Sequence, residues 1–182
     1  MAIHPDALDL ICEFEGYLKP LKDGTDRVKP YLCPAAVPTI GYGSIFRKDG
    51  SRVATTDPPI TRLEAVQLMN LELGKKCEPA VSRLITVPLH PLMHGALISF
   101  VYNCGEGALR GSGIRRAVNE RRWSDVPAEF AKWRMGGGRI LPGLVRRRSA
   151  ESAMFMKGVA AQRVGPPAND NGGWLTIFRR AA

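Results

Sequence analysis

Glu15 ends a short stretch of helical periodicity and is followed at once by Gly16. Downstream, Cys33 opens a turn-and-strand segment that continues through Thr39-Ile40-Gly41-Tyr42-Gly43. A carboxylate fixed at a helix terminus can transfer a proton, and a thiol and a hydroxyl on a glycine-rich hairpin can orient a water. From such parts a bond-cleaving cleft can be built. On an apolar helix face, desolvation would raise the carboxyl pKa and keep Glu15 protonated near neutral pH.

These residues need elements to hold them. In residues 6–15, Leu8, Ile11, Cys12 and Glu15 recur at one-face helical spacing, and Gly16 suits a C-terminal stop. Residues 17–50 are rich in Pro, Gly, Asp and Lys and predict a small hairpin region, with 37–45 as its main strand. Thr61 to Glu64 forms a capping box, predicting a helix to about Cys77, before Pro79. Pro91 begins another helix over Leu92–Tyr102 that is apolar all round, hence the buried centre of a larger lobe. Ser112 and Ser124 are expected to cap two short helices, and Gly136-Gly137-Gly138 and Pro142-Gly143 precede a last helix over 144–157. Residues 158–182 turn linker-like at Pro166-Pro167 and end in Trp174 to Arg180, which fits a docking strand, a membrane-touching patch or a loosely packed terminus.

At 182 residues the chain fits one domain of two lobes, about 1–60 and 61–157, with 158–182 as a basic tail. The start lacks a basic-then-apolar leader, so no secretory signal is expected. A net charge of +9 favours an anionic partner, whether nucleic acid, a membrane surface or a wall polymer. Arginines cluster at 115–116, 121–122 and 146–148, but aromatics are 7% of the chain and no nucleic-acid module motif appears, so no nucleic-acid partner is expected. Cys12, Cys33, Cys77 and Cys104 form no CxxC pair, and Cys12 and Cys104 fit core packing. His90 and His94 share a helical face yet lack a third ligand, and His90 before Pro91 fits a helix start. No metal and no cofactor are expected.

Phe14-Glu15-Gly16, then Cys33 ahead of Thr39-Ile40-Gly41-Tyr42-Gly43, resembles the bacteriophage-type lysozymes, the endolysins of glycoside hydrolase family 24, in a Glu-Cys-Thr variant. The resemblance continues through Ser99 to Gly105, Trp133 with its glycine loop, Leu141 to Arg148, and Glu151, covering about residues 5–157. It implies an α+β, predominantly helical, lysozyme-like fold with the cleft between its lobes. It implies hydrolysis of the β-1,4 bond between N-acetylmuramic acid and N-acetylglucosamine in bacterial peptidoglycan, with host lysis as the role. A monomer is expected, held in the host cytoplasm until a holin-type partner permeabilises the membrane.

Such cleavage needs an acid at the leaving oxygen and a placed water or nucleophile. Glu15 is the expected acid, Cys33 the second catalytic position and Thr39 the group that holds water, with inversion implied. Family members place the second residue closer to the Glu, whereas Cys33 lies 18 positions after Glu15. An insertion within Leu18–Pro30 accounts for this; alignment from the left would instead choose Asp23 or Asp26. Asn103 is expected to bond sugar groups and Arg148 to be a structural or substrate-binding cation. Tyr42 fits either the cleft or the core, and Trp133 fits packing beneath the glycine loop.

Overall fold

The computed structural model describes residues 3–16 and 20–164. The fold is α+β and mostly helical: α1 (Pro5–Glu15), a two-stranded hairpin β1 (Tyr31–Leu32) and β2 (Pro38–Thr39), then α2 (Arg62–Leu84) and α3 (Pro91–Cys104). Three short helices follow, α4 (Glu106–Gly111), α5 (Gly113–Asn119) and α6 (Val126–Ala131). A second hairpin, β3 (Met135–Gly136) and β4 (Arg139–Ile140), leads into the long α7 (Pro142–Val164). Both hairpins are antiparallel, with Tyr31 opposite Thr39 and Met135 opposite Ile140.

The α3 helix is the hub. Every residue from Leu92 to Val101 is buried, and α1, α2, α4 and α7 pack around it. Its six large apolar side chains from Leu92 to Val101 contribute on the order of 10 kcal/mol before the ordering entropy is set against it. His90 starts the helix as expected: its Nδ1 accepts the Leu92 amide at 3.2 Å, and Pro91 takes the first turn. The capping box also forms, with Thr61 Oγ1 accepting the Glu64 amide and Glu64 accepting the Thr61 amide at 2.7 Å.

Several elements depart from the sequence pattern. The α2 helix passes through Pro79 to Leu84, because Ala80, Val81 and Leu84 enter the core. The bond lost at Pro79 falls on the exposed Lys75 turn, where water can satisfy the carbonyl. The expected strand over 37–45 is only two residues long. Gly41 and Gly43 have φ of +63° and +103°, and Ile40 pairs back with Ser44 around a tight turn. Ser124 lies inside a 3₁₀ turn, Trp123–Asp125, instead of capping a helix, whereas Ser112 caps α5 by accepting the Arg115 amide. The last helix runs seven residues past Lys157, and the rest of the tail, including Trp174 to Arg180, lies outside the described residues.

There are two cores. Val28, Ile40 and Val53 form the small one, covered by Ile60 and Leu68. The large one includes α1, which packs on α3 through Ala7, Leu10 and Ile11 and so joins the helical body instead of the small lobe. Among the described residues no helix is long and apolar enough to cross a membrane.

The crossing of α1 over α3 is set by Gly95, where an added Cβ would stand 2.6 Å from the Ala7 Cβ. Gly95→Ala should therefore cost about 1–3 kcal/mol despite its better helix propensity, read as a lowered denaturation midpoint. A stabilised variant would show that the two helices can move apart freely.

Candidate functional site

Glu15 closes α1, and the Gly16 amide bonds back to the Cys12 carbonyl as the chain leaves the helix with φ +73°. Its side chain is 26% exposed and meets Arg147 of α7, whose Nη1 donates to Glu15 Oε1 at 2.5 Å. The carboxyl thus faces a cation, not the apolar wall expected from helical periodicity. The Arg147 guanidinium also lies over the Phe14 ring, 5.6 Å from its centroid.

Beneath this pair is a buried network. Glu151, with no exposed surface, accepts from Ser99 Oγ at 2.6 Å, Arg147 Nε at 3.2 Å and Arg148 Nη2 at 3.1 Å. Arg148 Nε approaches the other carboxylate oxygen at 3.0 Å, a contact that offsets charge without hydrogen-bond geometry. Arg148 then reaches Asn103 Oδ1 at 2.8 Å and Cys104 Sγ at 3.1 Å, and lies over the Phe100 ring. Burial pushes the Glu151 carboxyl above its usual range, opposed by Arg148, the Ser99 hydroxyl and Arg147. Burial likewise raises the Cys104 thiol, which is half-buried beside Arg148 and not part of the deep core.

Cys33 and Thr39 come together on the first hairpin. The Cys33 amide donates to the Val37 carbonyl at 3.0 Å and its carbonyl accepts the Ala36 amide at 2.8 Å, closing a turn in which Ala36 has φ +57°. The thiol lies against the amides of Val37 and Ala35, with Thr39 a smaller contributor, and these bonds hold its pKa below the ordinary thiol value. Thr39 is buried, and its Oγ1 donates to the Val37 carbonyl at 2.9 Å.

Tyr42 is buried, so the structure realises its core alternative and not the cleft one. Its hydroxyl accepts from Arg62 Nε at 3.2 Å and bonds the Cys12 thiol, tying the turn after β2 to α1 three residues before Glu15. Arg148 is also buried and touches Asn103 instead of solvent, whereas Asn103 is exposed with its oxygen held inward. Trp133 packs edge-on to Phe100 with centroids 5.2 Å apart.

Two residues join the site that sequence spacing did not single out. Arg147 meets Glu15 across 132 positions, a contact no local pattern encodes. Its spacing of four from Glu151, with Arg148 at three, is the signal that could have revealed the cluster. Tyr102 stands where an added Cβ on Gly43 would lie 3.9 Å from its hydroxyl, and burial with the Glu15 charge pushes that hydroxyl far up. It therefore lies beside the glycine turn and within the field of the Glu15 carboxylate.

The long interval between Glu15 and Cys33 also has a structural form. Pro20 pairs with Val28, and the Leu21 amide bonds the Arg27 carbonyl at 2.8 Å, so residues 21–27 form a closed excursion. Within it Asp23 accepts from the Thr25 amide and hydroxyl, which hold its carboxyl below the usual range.

A helical body, a small hairpin region and a carboxylate at the first helix end define a lysozyme-like protein, and comparison with known proteins agrees. Residues 21–151 match the family model for phage lysozyme. The chain is 32% identical over 158 residues to the endolysin of Bacillus phage PZA, covering 87% of this chain and 56% of that protein. It is 32% identical over 131 residues to the endolysin of Salmonella phage P22, covering 72% of this chain and 88% of that one. A P22 lysozyme mutant superposes with a TM-score of 0.72 at 29% identity, over 86% of this chain and 99% of that chain. The chain belongs to the phage lysozyme family, spanning little more than half of the PZA relative and most of the P22 ones.

Two outcomes follow from the geometry. Glu151→Ala leaves two buried guanidiniums without their shared anion and should cost about 3–5 kcal/mol in denaturant unfolding. A loss within a few tenths would mean the network is not under strain of burial. The four free thiols should also differ in reactivity. Iodoacetamide at mild pH should label Cys33 first, because its thiolate persists to lower pH. Cys77, pushed up to about 11 by burial, should label late. Peptide mapping against time reads the order, and early labelling of Cys77 would contradict it.

Proposed function

We propose that this protein is a muramidase of the endolysin type, hydrolysing the β-1,4 bond between N-acetylmuramic acid and N-acetylglucosamine in peptidoglycan. The observation that carries this is Glu15, partly exposed at the end of α1 with one carboxylate oxygen held by Arg147. Fixing Oε1 leaves Oε2 to present a proton to the leaving oxygen in one orientation. Across the cleft, Cys33 supplies negative charge for the oxocarbenium-like state, its thiolate favoured by the turn amides. Thr39 is the second hairpin group, and with Cys33 it holds the attacking water on the face opposite Glu15. The outcome is inversion, since water and not the protein attacks the sugar.

Asn103 presents its amide to sugar hydroxyl or acetamido groups, and Arg148 acts through it by holding the carboxamide oxygen. Tyr42 contributes by position, fixing the hairpin to α1. Asp23 is occupied by its own turn, which favours Cys33 for the second position. Part of the arginine runs is spent inside the fold, which disfavours a nucleic-acid face: Arg147 and Arg148 are buried, and Arg122 is engaged by Glu120 and Asp125. The catalytic unit extends to the end of α7, with the remainder as a tail. The protein acts on the wall as a monomer, after a holin-type partner releases it from the host cytoplasm.

Clearing of purified peptidoglycan by the wild type, Glu15→Gln, Cys33→Ser and Asp23→Asn tests the assignment. Glu15→Gln should lower the rate by at least about 10²-fold, the scale of a lost general acid. Cys33→Ser should lose activity while Asp23→Asn keeps it. Equal clearing by Glu15→Gln and wild type would remove Glu15 as the acid, and loss confined to Asp23→Asn would move the second position.

A further inference from the structure

Residues 46–52 close a loop on the small lobe. Phe46 pairs with Arg52 across its neck, the Arg47 amide bonds the Ser51 carbonyl at 2.8 Å, and Gly50 turns the chain at φ +86°. The Arg52 guanidinium stands over the Phe46 ring, 5.4 Å from its centroid. On α2, Leu68, Leu71, Glu72 and Lys75 recur at one-face helical spacing. This loop and this helix face border a cavity of about 250 Å³ that Phe46, Arg47, Leu68, Leu71 and Lys75 help to line. Glu15, Cys33 and Thr39 do not line it, so it is separate from the site proposed for glycan cleavage.

The lining selects a ligand. Phe46 and Leu71 are 41% and 40% exposed on the same cavity as Leu68, and water against such grouped side chains is what an apolar ligand displaces. Of the cations in the lining, Arg47 is held by Asp57 and Lys76 by Glu72, both at 2.7 Å. Lys75 has no ion-pair partner among the described residues, and neither has Arg52 beside Phe46. Uncompensated positive charge next to alkyl surface fits a molecule with an alkyl body and an anionic end. The one uncharged polar side chain in the lining, Ser44, has its Oγ sealed from water. A sugar would therefore find side-chain partners for its hydroxyls only among the charged groups. A volume at the small end of ligand pockets suits one chain and not a polymer.

We propose that this cavity binds one anionic lipid, with its alkyl chain against Phe46, Leu68 and Leu71 and its head group at Lys75. The site would stand whether or not Glu15 is the acid of a muramidase.

The test titrates the isotope-labelled full chain with octyl phosphate, octyl glucoside and inorganic phosphate, below micelle-forming concentrations, and reads amide shifts by NMR. Octyl phosphate should shift residues within 44–52 and 68–76 and saturate. It should bind about fivefold more tightly than octyl glucoside, the scale of one exposed charge contact. Inorganic phosphate, which lacks the chain, should bind at least about tenfold more weakly than octyl phosphate. Lys75→Gln should bring octyl phosphate down to the octyl glucoside level and leave octyl glucoside unchanged, whereas Leu71→Ser should weaken both. Both side chains are exposed, so each variant should keep the parent's circular dichroism and cooperative melting. Equal affinity of the parent for octyl phosphate and octyl glucoside would overturn the proposal. So would shifts centred elsewhere, or parent-like binding of octyl phosphate by either variant. Co-sedimentation with phosphatidylglycerol vesicles, lost in both variants, would support a membrane as the lipid's source. Octyl phosphate binding without vesicle binding would support a free lipid molecule.

Discussion

Glu151 is a carboxylate with no access to water, and the charged groups around Glu15 are arranged by the need to satisfy it. Taking such a group out of solvent costs several kcal/mol unless partners surround it. Arg147 and Arg148 come from the preceding turn of the same helix, and Ser99 comes from the helix it packs on. Meeting that one requirement fastens α7 to α3 and fixes both guanidiniums. Arg147 then spans to the end of α1, and Arg148 to the end of α3. Three helix positions far apart in the chain are thereby set by one anion.

The hairpin is positioned by different means. Tyr42 plugs into the core against Cys12 and Arg62, and the tight turn of Gly41 and Gly43 lets the chain approach Tyr102. Backbone amides, not side-chain cations, set the state of the Cys33 thiol. The Glu15 side of the site therefore depends on side-chain ion pairing and the Cys33 side on backbone geometry. These two kinds of support respond differently to salt and to mutation, since ion pairs are screened and turn amides are not.

The helical half of the fold was largely legible. An apolar run with a proline start gave α3, and a capping box gave the start of α2, because both signals are local. Pro79 misled at the other end of α2, where three core side chains outweigh one missing bond on a wet face. The strand at 37–45 shrank because two glycines with positive φ turn the chain back within it. For the site, Glu15, Cys33 and Thr39 could be read by type and order. Buried Tyr42 and Arg148 could be named but not placed, since a spacing does not say which side of a residue faces water. Arg147 was invisible as the partner of Glu15, because nothing along the chain links two positions so distant.

The pairing of Pro20 with Val28 gives the 21–27 excursion a closed neck. Lengthening a loop above such a neck costs little, about 0.6 kcal/mol for each doubling, since only closure entropy grows. The register of β1 on β2 lies beyond the neck and does not feel the change. Distance along the chain between the helix-end carboxylate and the hairpin thiol can thus drift over evolutionary time while the architecture stays put. In this molecule, contour length and the placing of helix end against hairpin are independent variables, and residue counting across the neck is a poor ruler for homology.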